Sequence, residues 1–271
     1  MRDFAWSLNI KERMNKLFDI GGKIALITGG AKGLGRMIAA GLVDAGCKVY
    51  ISSRDQPACE QAALEMSATG TCLALTADLG TPDSAVSLAN QFKSKESRLD
   101  ILVNNAGRTW GAPLESFPDK AWPGVMAVNV QAPFTLLREL LPLLKQASSP
   151  DSPGRVINIG SLAGEVVEPL SAYSYVASKA AIHHLSRALA ADLAQHNITV
   201  NVVVPGYFPT SMTAHIRQED EGARQLLARV PLARFGRPGD IVGACIFLAS
   251  PSGSYITGSE IYLDGGMAGC R

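Results

Sequence analysis

The chain reads as an α/β protein, a doubly wound parallel sheet of about seven strands in a single domain. Three observations lead there. Short runs rich in Val, Ile and Leu recur along the 271 residues, with longer helix-like stretches between them. These runs are apolar at successive positions, as in strands covered by helices on both faces. The first run leads straight into a Gly-rich turn, Thr28-Gly29-Gly30-Ala31-Lys32-Gly33-Leu34-Gly35.

Taken in order, the expected strands are 23–30, 48–53, 72–78, 99–105, 155–161, 198–206 and 259–266. Each is followed by Gly, Asn, Asp, Ser or Pro, which turn the chain. A helix is expected over 33–45, after the Gly-rich turn. Another covers 83–96, where Thr81 caps and Pro82 takes the first helical position. Two long helices are expected over 120–146 and 172–195. QASSPDSPG, 146–154, reads as an exposed connection. Residues 207–237 read as an irregular segment just past a strand end, where α/β folds place substrate contacts. Its QEDE run at 218–221 reads as a solvated face. Residues 1–20 form a short amphipathic extension or a poorly ordered tail, and 21–271 form the domain.

Composition excludes several classes. The chain is 47% hydrophobic, which argues against disorder. Charged residues are 18%, against about 25% in an average soluble protein, which points to surface buried between subunits. Lys plus Arg is 25 and Asp plus Glu is 24, a net charge of +1. That leaves no electrostatic footprint for nucleic acid or an anionic membrane. No uncharged apolar stretch reaches the length of a membrane span. The N-terminus lacks the apolar core and cleavage site of a signal peptide. Five cysteines without a CxxC spacing suggest neither a disulfide framework nor a zinc site. They fit reduced thiols, and hence a cytoplasmic location. No carboxylate–His spacing suggests a metal, and His183, His184, His196 and His215 read as structural or surface residues.

The Gly-rich turn is the first candidate site. Glycines let backbone approach a pyrophosphate closely, and the following helix N-terminus favours an anion. The alternative is a tight turn without a ligand. At the end of the second run stand Ser53 and Arg54, where NAD-preferring folds usually carry an acidic residue. Arg54, with Lys32 from the turn, can hold a 2′-phosphate that a carboxylate would repel, which favours NADPH. Asp55 either pairs with Arg54 or leads the next helix. In the plainer reading, Arg54 and Lys32 are surface charges.

The second candidate is Tyr175 with Lys179, four residues apart and so on one helix face. An ammonium beside a phenol favours phenolate and tunes it as a proton donor or acceptor. Tyr173 is the rival phenol, but four residues on from it stands Ala177. Ser161, at the end of its run, either holds a substrate oxygen or turns the chain. Asn129, inside a helical stretch, serves either a water path or a packing contact.

Together these residues resemble the short-chain dehydrogenase/reductase family. The matching motifs are TGGAKGLG (28–35), Asp78-Leu79, NNAG (104–107), Asn129, Ser161, YVASK (175–179) and PGYFPTSM (205–212), in the family's order over residues 20–266. The resemblance implies a Rossmann-like fold, a nicotinamide cofactor and hydride transfer at a carbon bearing oxygen. It places Gly29, Gly33, Leu34 and Gly35 at the pyrophosphate and Asp78 and Leu79 at the adenine. Asn105, Ala106 and Gly107 fall beside the adenine ribose, and Pro205, Gly206, Phe208 and Thr210 face the nicotinamide. It makes Tyr175 the proton donor and Ser161 the group that orients the carbonyl. Lys179 binds the nicotinamide ribose and lowers the Tyr175 pKa, and Asn129 holds a water that feeds a proton relay.

The stretches NNAGRTWGAPLES, RVINIGSLAG, PGYFPTSMTAHI and ARFGRP are similar to NADPH-dependent β-ketoacyl reductases, above all the rhamnolipid-associated type. That implies a small-molecule carbonyl substrate, an acyl thioester on CoA or acyl carrier protein, and a homotetramer. Phe208, Met212, Ile216, Leu226 and Leu227, with Trp110 and Val166 opposite, either line an apolar channel or pack the segment down. Two alternatives remain: a broad ketone, sugar or steroid reductase, and a non-catalytic nucleotide sensor. Sensors of this fold can lose the Tyr or the Lys, and both are present here.

Overall fold

The computed structural model describes residues 16–168, 170–210 and 220–270. Seven strands form one sheet: β1 (Ile24–Thr28), β2 (Lys48–Ser53), β3 (Thr71–Thr76), β4 (Ile101–Asn104), β5 (Gly154–Ile159), β6 (Ile198–Pro205) and β7 (Glu260–Leu263). Their order is β3-β2-β1-β4-β5-β6-β7, and every pairing is parallel. All seven expected strands are present, shifted by at most three residues at an end. The chain winds outward from β1 in one direction and from β4 in the other. Between their C-terminal ends lies the switch point, where open α/β sheets form their ligand crevice.

The helices are α1 (Gly33–Asp44), α2 (Gln56–Met66), α3 (Pro82–Lys93), α4 (Ala121–Met126), α5 (Ala132–Ala147), α6 (Tyr173–Leu193), α7 (Asp220–Leu227) and α8 (Pro238–Ala249). Alternate strand residues face opposite layers, so each helix layer builds its own core. Ala25, Ile27, Val49 and Ile51 meet Ile38 and Leu42 of α1 and Ile241, Cys245 and Leu248 of α8. Leu26, Tyr50, Leu102 and Val156 meet Leu88 and Phe92 of α3 and Leu136, Leu140 and Leu144 of α5. Cys47, Cys59, Cys72 and Cys245 are buried free thiols, and Cys270 is exposed and free. Burial pushes the Cys47, Cys72 and Cys245 thiols up to about 12, so none is poised as a nucleophile. Among the described residues no helix is long and apolar enough to cross a membrane.

Three expectations change. The long helix expected over 120–146 is interrupted: α4 passes into a wide turn, Ala127–Gln131, before α5 begins. The Ala132 N–H reaches back five residues to the Ala127 carbonyl. Pro133 lies at the junction and, lacking an N–H, cannot donate to the Asn129 carbonyl. The segment 207–237, read as irregular, contains α7, which starts inside the charge run at Asp220. Finally, Ile20 is not part of a loose extension. Its side chain is buried in the core, and its carbonyl accepts from the Cys47 thiol at 3.1 Å. Residues 1–15 of the extension lie outside the described residues, as do Met212 and Ile216.

Candidate active site

The Gly-rich turn follows β1 and opens α1. Gly29 and Gly33 have φ of +67° and +57°, a region that penalises a side chain. A Cβ on Gly35 would lie 2.3 Å from both the Asn105 amide nitrogen and the Gly29 carbonyl oxygen. The turn is therefore held by its neighbours. Asn105 Nδ2 donates to the Thr28 and Gly29 carbonyls at 2.9 and 3.2 Å. The Thr28 hydroxyl accepts from the Asn105 and Ala106 N–H groups, both at 3.0 Å. Thr28 and Asn105 thus tie the ends of β1 and β4 together across the switch point. Lys32 stands at the N-cap of α1, and no side chain caps that end. Thr210 closes the other side: its Cβ would be 3.7 Å from a Cβ on Gly33. This cradle fits a dinucleotide pyrophosphate.

At the end of β2, Ser53 is half-buried and Arg54 exposed. Asp55 does not pair with Arg54. It accepts from the Ala58 N–H at 3.1 Å and caps α2. Among the described residues neither Arg54 nor Lys32 forms an ion pair. Two cations without a carboxylate suit a 2′-phosphate. Asp78 is exposed, and its Oδ1 accepts from the Gly80 N–H at 3.2 Å. Leu79 is buried in the second core, so only its backbone is open to a ligand.

The chemistry-bearing residues gather where α6 crosses the end of β5. The Tyr175 phenol lies beside the Ser161 hydroxyl, which favours its phenolate. Lys179 is buried, and its Nζ donates to the Ile159 carbonyl at 2.7 Å while standing 5.6 Å from the centroid of the Tyr175 ring. One of its three donors is used there, and no other acceptor holds it among the described residues. Tyr173 lies outside the group, exposed and edge-on to Phe117 at 5.2 Å.

The electrostatics correct the expectation that Lys179 lowers the Tyr175 pKa in the protein alone. Burial pushes the Tyr175 phenol above its usual value, outweighing the Ser161 hydrogen bond that favours the phenolate. The ammonium is bonded to a carbonyl and lies over the ring face, away from a direct bond to the phenolic oxygen. Burial also disfavours its own charge and lowers its pKa to about 8.

Asn129 lies in the wide turn and is buried. Its Nδ2 donates to Ser178 Oγ at 2.8 Å and to the Arg108 carbonyl at 2.9 Å, and its Oδ1 accepts from the Arg108 N–H at 2.8 Å. Ser178 in turn donates to the Tyr175 carbonyl at 2.7 Å. The amide is committed to holding α6 and the loop after β4. Wide turns of this kind concentrate at functional sites.

On the substrate side, Leu227 and Val166 pack against Leu162, Val230 and Met267, and Leu226 is buried. These residues hold the segment down. Phe208 corrects the expectation of an open cofactor neighbour: its ring is buried in the core, and a Cβ on Gly236 would lie 2.4 Å from its Cζ. Pro205 ends β6 and Gly206 lies against Asp264, where a Cβ would meet Asp264 Cα at 2.8 Å. Glu168, buried on the loop after β5, accepts from Tyr207 Oη and from Arg229 at 2.8 Å. Trp110 is exposed.

Comparison with known proteins agrees with this geometry. A family model described as enoyl-(acyl carrier protein) reductase matches residues 29–268. The chain belongs to the short-chain dehydrogenase/reductase family. Over 254 residues it is 47% identical to the rhamnolipids biosynthesis 3-oxoacyl-[acyl-carrier-protein] reductase of Pseudomonas aeruginosa, covering 94% of this chain and 99% of that protein. It is 34% identical to the 5-keto-D-gluconate 5-reductase of Escherichia coli K12, over 94% of this chain and 98% of the relative. The Pseudomonas aeruginosa RhlG/NADP active-site complex superposes with a TM-score of 0.91 at 46% identity, over 93% of this chain and 99% of that one.

Several residues that shape the site were given no role by the sequence: Thr28 and Ser178, which lie inside the family motifs, and the Ile159 carbonyl, Glu165 and His183, which lie outside them. His183 carried one signal, its position four residues beyond Lys179 on the same helix face.

Lys179 supplies a test. Its pKa falls from 10.5 to about 8 on folding. Between those values the unfolded chain holds a proton that the folded chain has lost. This group's contribution to stability therefore rises as pH increases through that window. Denaturant unfolding of the wild type against Lys179→Met checks it: the difference between them should change with pH from about 8 to 10.5. A flat difference would refute the lowered pKa.

Proposed function

We propose that this chain is an NADPH-dependent ketoreductase that converts a 3-oxoacyl thioester into the secondary alcohol. The observation that carries the reading is the Tyr175 phenol beside the Ser161 hydroxyl, one helical turn from buried Lys179. The likeness to the rhamnolipid 3-oxoacyl reductase supports the substrate class.

Bound NADPH supplies the hydride. Gly29, Gly33, Leu34 and Gly35 present the turn's backbone to the pyrophosphate, and Thr210 closes over it. Lys32, Ser53 and Arg54 hold the 2′-phosphate. Asp78 and Leu79 flank the adenine, and Asn105, Ala106 and Gly107 its ribose. Pro205 and Gly206, with the backbone at Phe208, border the nicotinamide, whose ribose takes the free donors of Lys179.

Tyr175 Oη and Ser161 Oγ together form a cradle for one carbonyl oxygen. Ser161 donates a hydrogen bond that strengthens as negative charge grows on that oxygen. Tyr175 gives it a proton. Burial suits the phenol to this direction, because it enters the reaction protonated at neutral pH. The Lys179 ammonium then stabilises the phenolate left behind. Its lowered pKa, about 8, lets it pass a proton on. Asn129 contributes the relay acceptor through its main-chain carbonyl, which Pro133 deprives of a helical donor, while its side chain holds the helices in place. Trp110 and Val166 border the acyl chain, carried on CoA or acyl carrier protein.

A sugar-ketone reductase is the second reading, favoured by the 34% identity to a keto-gluconate reductase. A panel of 3-oxoacyl thioesters and sugar or simple ketones, followed by loss of NADPH absorbance, separates the two. The thioesters should be turned over with the highest kcat/KM, and a clear preference for the keto-sugars would reverse the assignment. Tyr175→Phe should lose most of kcat, by about a hundredfold or more for removal of a general acid, with NADPH affinity nearly intact. Wild-type turnover in that variant would remove Tyr175 from the mechanism. The Arg54→Asp variant should shift preference from NADPH toward NADH. Equal use of both by the wild type would contradict the role given to Ser53 and Arg54.

A homotetramer is part of the same reading. Its support is the exposed apolar surface of Trp122 and Phe134, on α4 and α5, beside Met126, Val130 and Leu185. Light scattering behind size-exclusion chromatography should give four times the chain mass, and a monomer at micromolar concentration would exclude it.

A further inference from the structure

The face of α6 that carries Tyr175 and Lys179 continues, at the same four-residue interval, to His183. We propose that His183 is the positioning residue for Ser161, holding the serine's backbone so that its hydroxyl stays beside the Tyr175 phenol. This rests on the ketoreductase reading, in which Ser161 and Tyr175 share the carbonyl oxygen.

The imidazole is buried, and both of its nitrogens are engaged. The Ser161 N–H points at Nε2 from 3.2 Å. A backbone N–H can only donate, so Nε2 must keep its lone pair. The single proton of the neutral ring is then on Nδ1, which donates to Glu165 Oε1 at 2.6 Å. Burial works against the Glu165 carboxylate, yet the hydrogen bond from His183 holds it below its usual range and keeps it an acceptor. Glu260 stands on the same side as Glu165, 3.7 Å from Nδ1 and paired with Arg187 and Tyr262.

The ring could not reach Ser161 past a side chain. A Cβ on Gly160 would lie 2.1 Å from His183 Nε2. Gly164 is packed as closely, and a Cβ there would be 2.8 Å from the Lys179 carbonyl carbon. α6 therefore grips the end of β5 and the turn after it at successive points. Lys179 takes the Ile159 carbonyl, and His183 takes the Ser161 N–H and the Glu165 carboxylate. Tyr175 is on the same rigid helix, so the distance between its phenol and the Ser161 hydroxyl follows from that grip.

The same three side chains, Glu165, His183 and Glu260, bring potential metal-ligand atoms within 4.8 Å of one another. The tautomer argues against a cation there. A metal on Nδ1 would leave the neutral ring's proton on Nε2, facing the Ser161 N–H donor against donor.

The test compares the wild type with His183→Phe, His183→Gln and Glu165→Gln. The Phe ring fills the space without a lone pair, whereas the Gln amide oxygen can accept from the Ser161 N–H. Loss of alignment at a reacting centre lowers kcat by about tenfold or more, so His183→Phe should do this with KM for NADPH within about twofold. His183→Gln should recover most of the loss. Glu165→Gln keeps an acceptor for Nδ1 and should fall between the two. Nitrogen NMR of the labelled histidines in the wild type should show one buried neutral ring protonated on Nδ1.

Wild-type kcat in His183→Phe, equal loss in Phe and Gln variants, or a His183 proton on Nε2 would each overturn the proposal. If the Phe variant does not fold, the Gln variant and the tautomer decide. Failure of the wild type to reduce any ketone would instead strike the ketoreductase reading, since the nitrogen spectrum does not depend on turnover.

Discussion

The hydrogen bond from Lys179 to the Ile159 carbonyl organises the site. An ammonium taken out of water needs a partner or it gives up its proton. Here the partner is the carbonyl of the last residue of β5, so the demand of a buried charge becomes a tether between helix and sheet. Everything the proposed chemistry uses hangs from it. Tyr175 is one turn earlier on the tethered helix, and Ser161 is two residues beyond the tethered carbonyl. From the opposite side, Asn129 and Ser178 secure the Tyr175 backbone through a continuous chain of hydrogen bonds.

The proton chemistry follows from burial more than from neighbouring charge. The phenol is shifted up and the ammonium down, the direction in which desolvation drives each toward its neutral form. A phenol that holds its proton at neutral pH suits reduction, where a proton must be delivered. An amine with a lowered pKa suits passing one along. The cofactor end is built by other means. There Thr28 and Asn105 use their side chains to fix a glycine turn, and exposed Lys32 and Arg54 present charge that no carboxylate among the described residues pairs.

Much of this was legible in the chain. The seven apolar runs became the seven strands because two-sided burial demands unbroken hydrophobic stretches. Thr81 capped α3 as its spacing suggested, and Tyr175, Lys179 and Ser161 came together. Other features were hidden. α2 was foreseen only as one alternative, a helix led by Asp55 and without bounds, and α8, apolar nearly all round, was not anticipated. The break before α5 depends on Pro133, whose effect inside a helical pattern is either a kink or a start. Phe208 resembled a cofactor neighbour by motif, but the space left by Gly236 draws its ring into the core. His183 looked like one of several ordinary histidines because its partners, Glu165 and Ser161, are about twenty residues away in sequence.

Periodicity, turn residues and spacing within one helix are local properties, so the sequence by itself determined the layered parallel sheet, the Gly-rich turn and the Tyr–Lys pair. Only the tertiary structure decided the pKa directions, the commitment of the Asn129 amide, the Asp55 cap and the imidazole behind Ser161. Each of those depends on how deeply a group is buried and on which distant backbone atom meets it. Such facts arise when α6 is laid across the end of β5, and no interval along the chain encodes them.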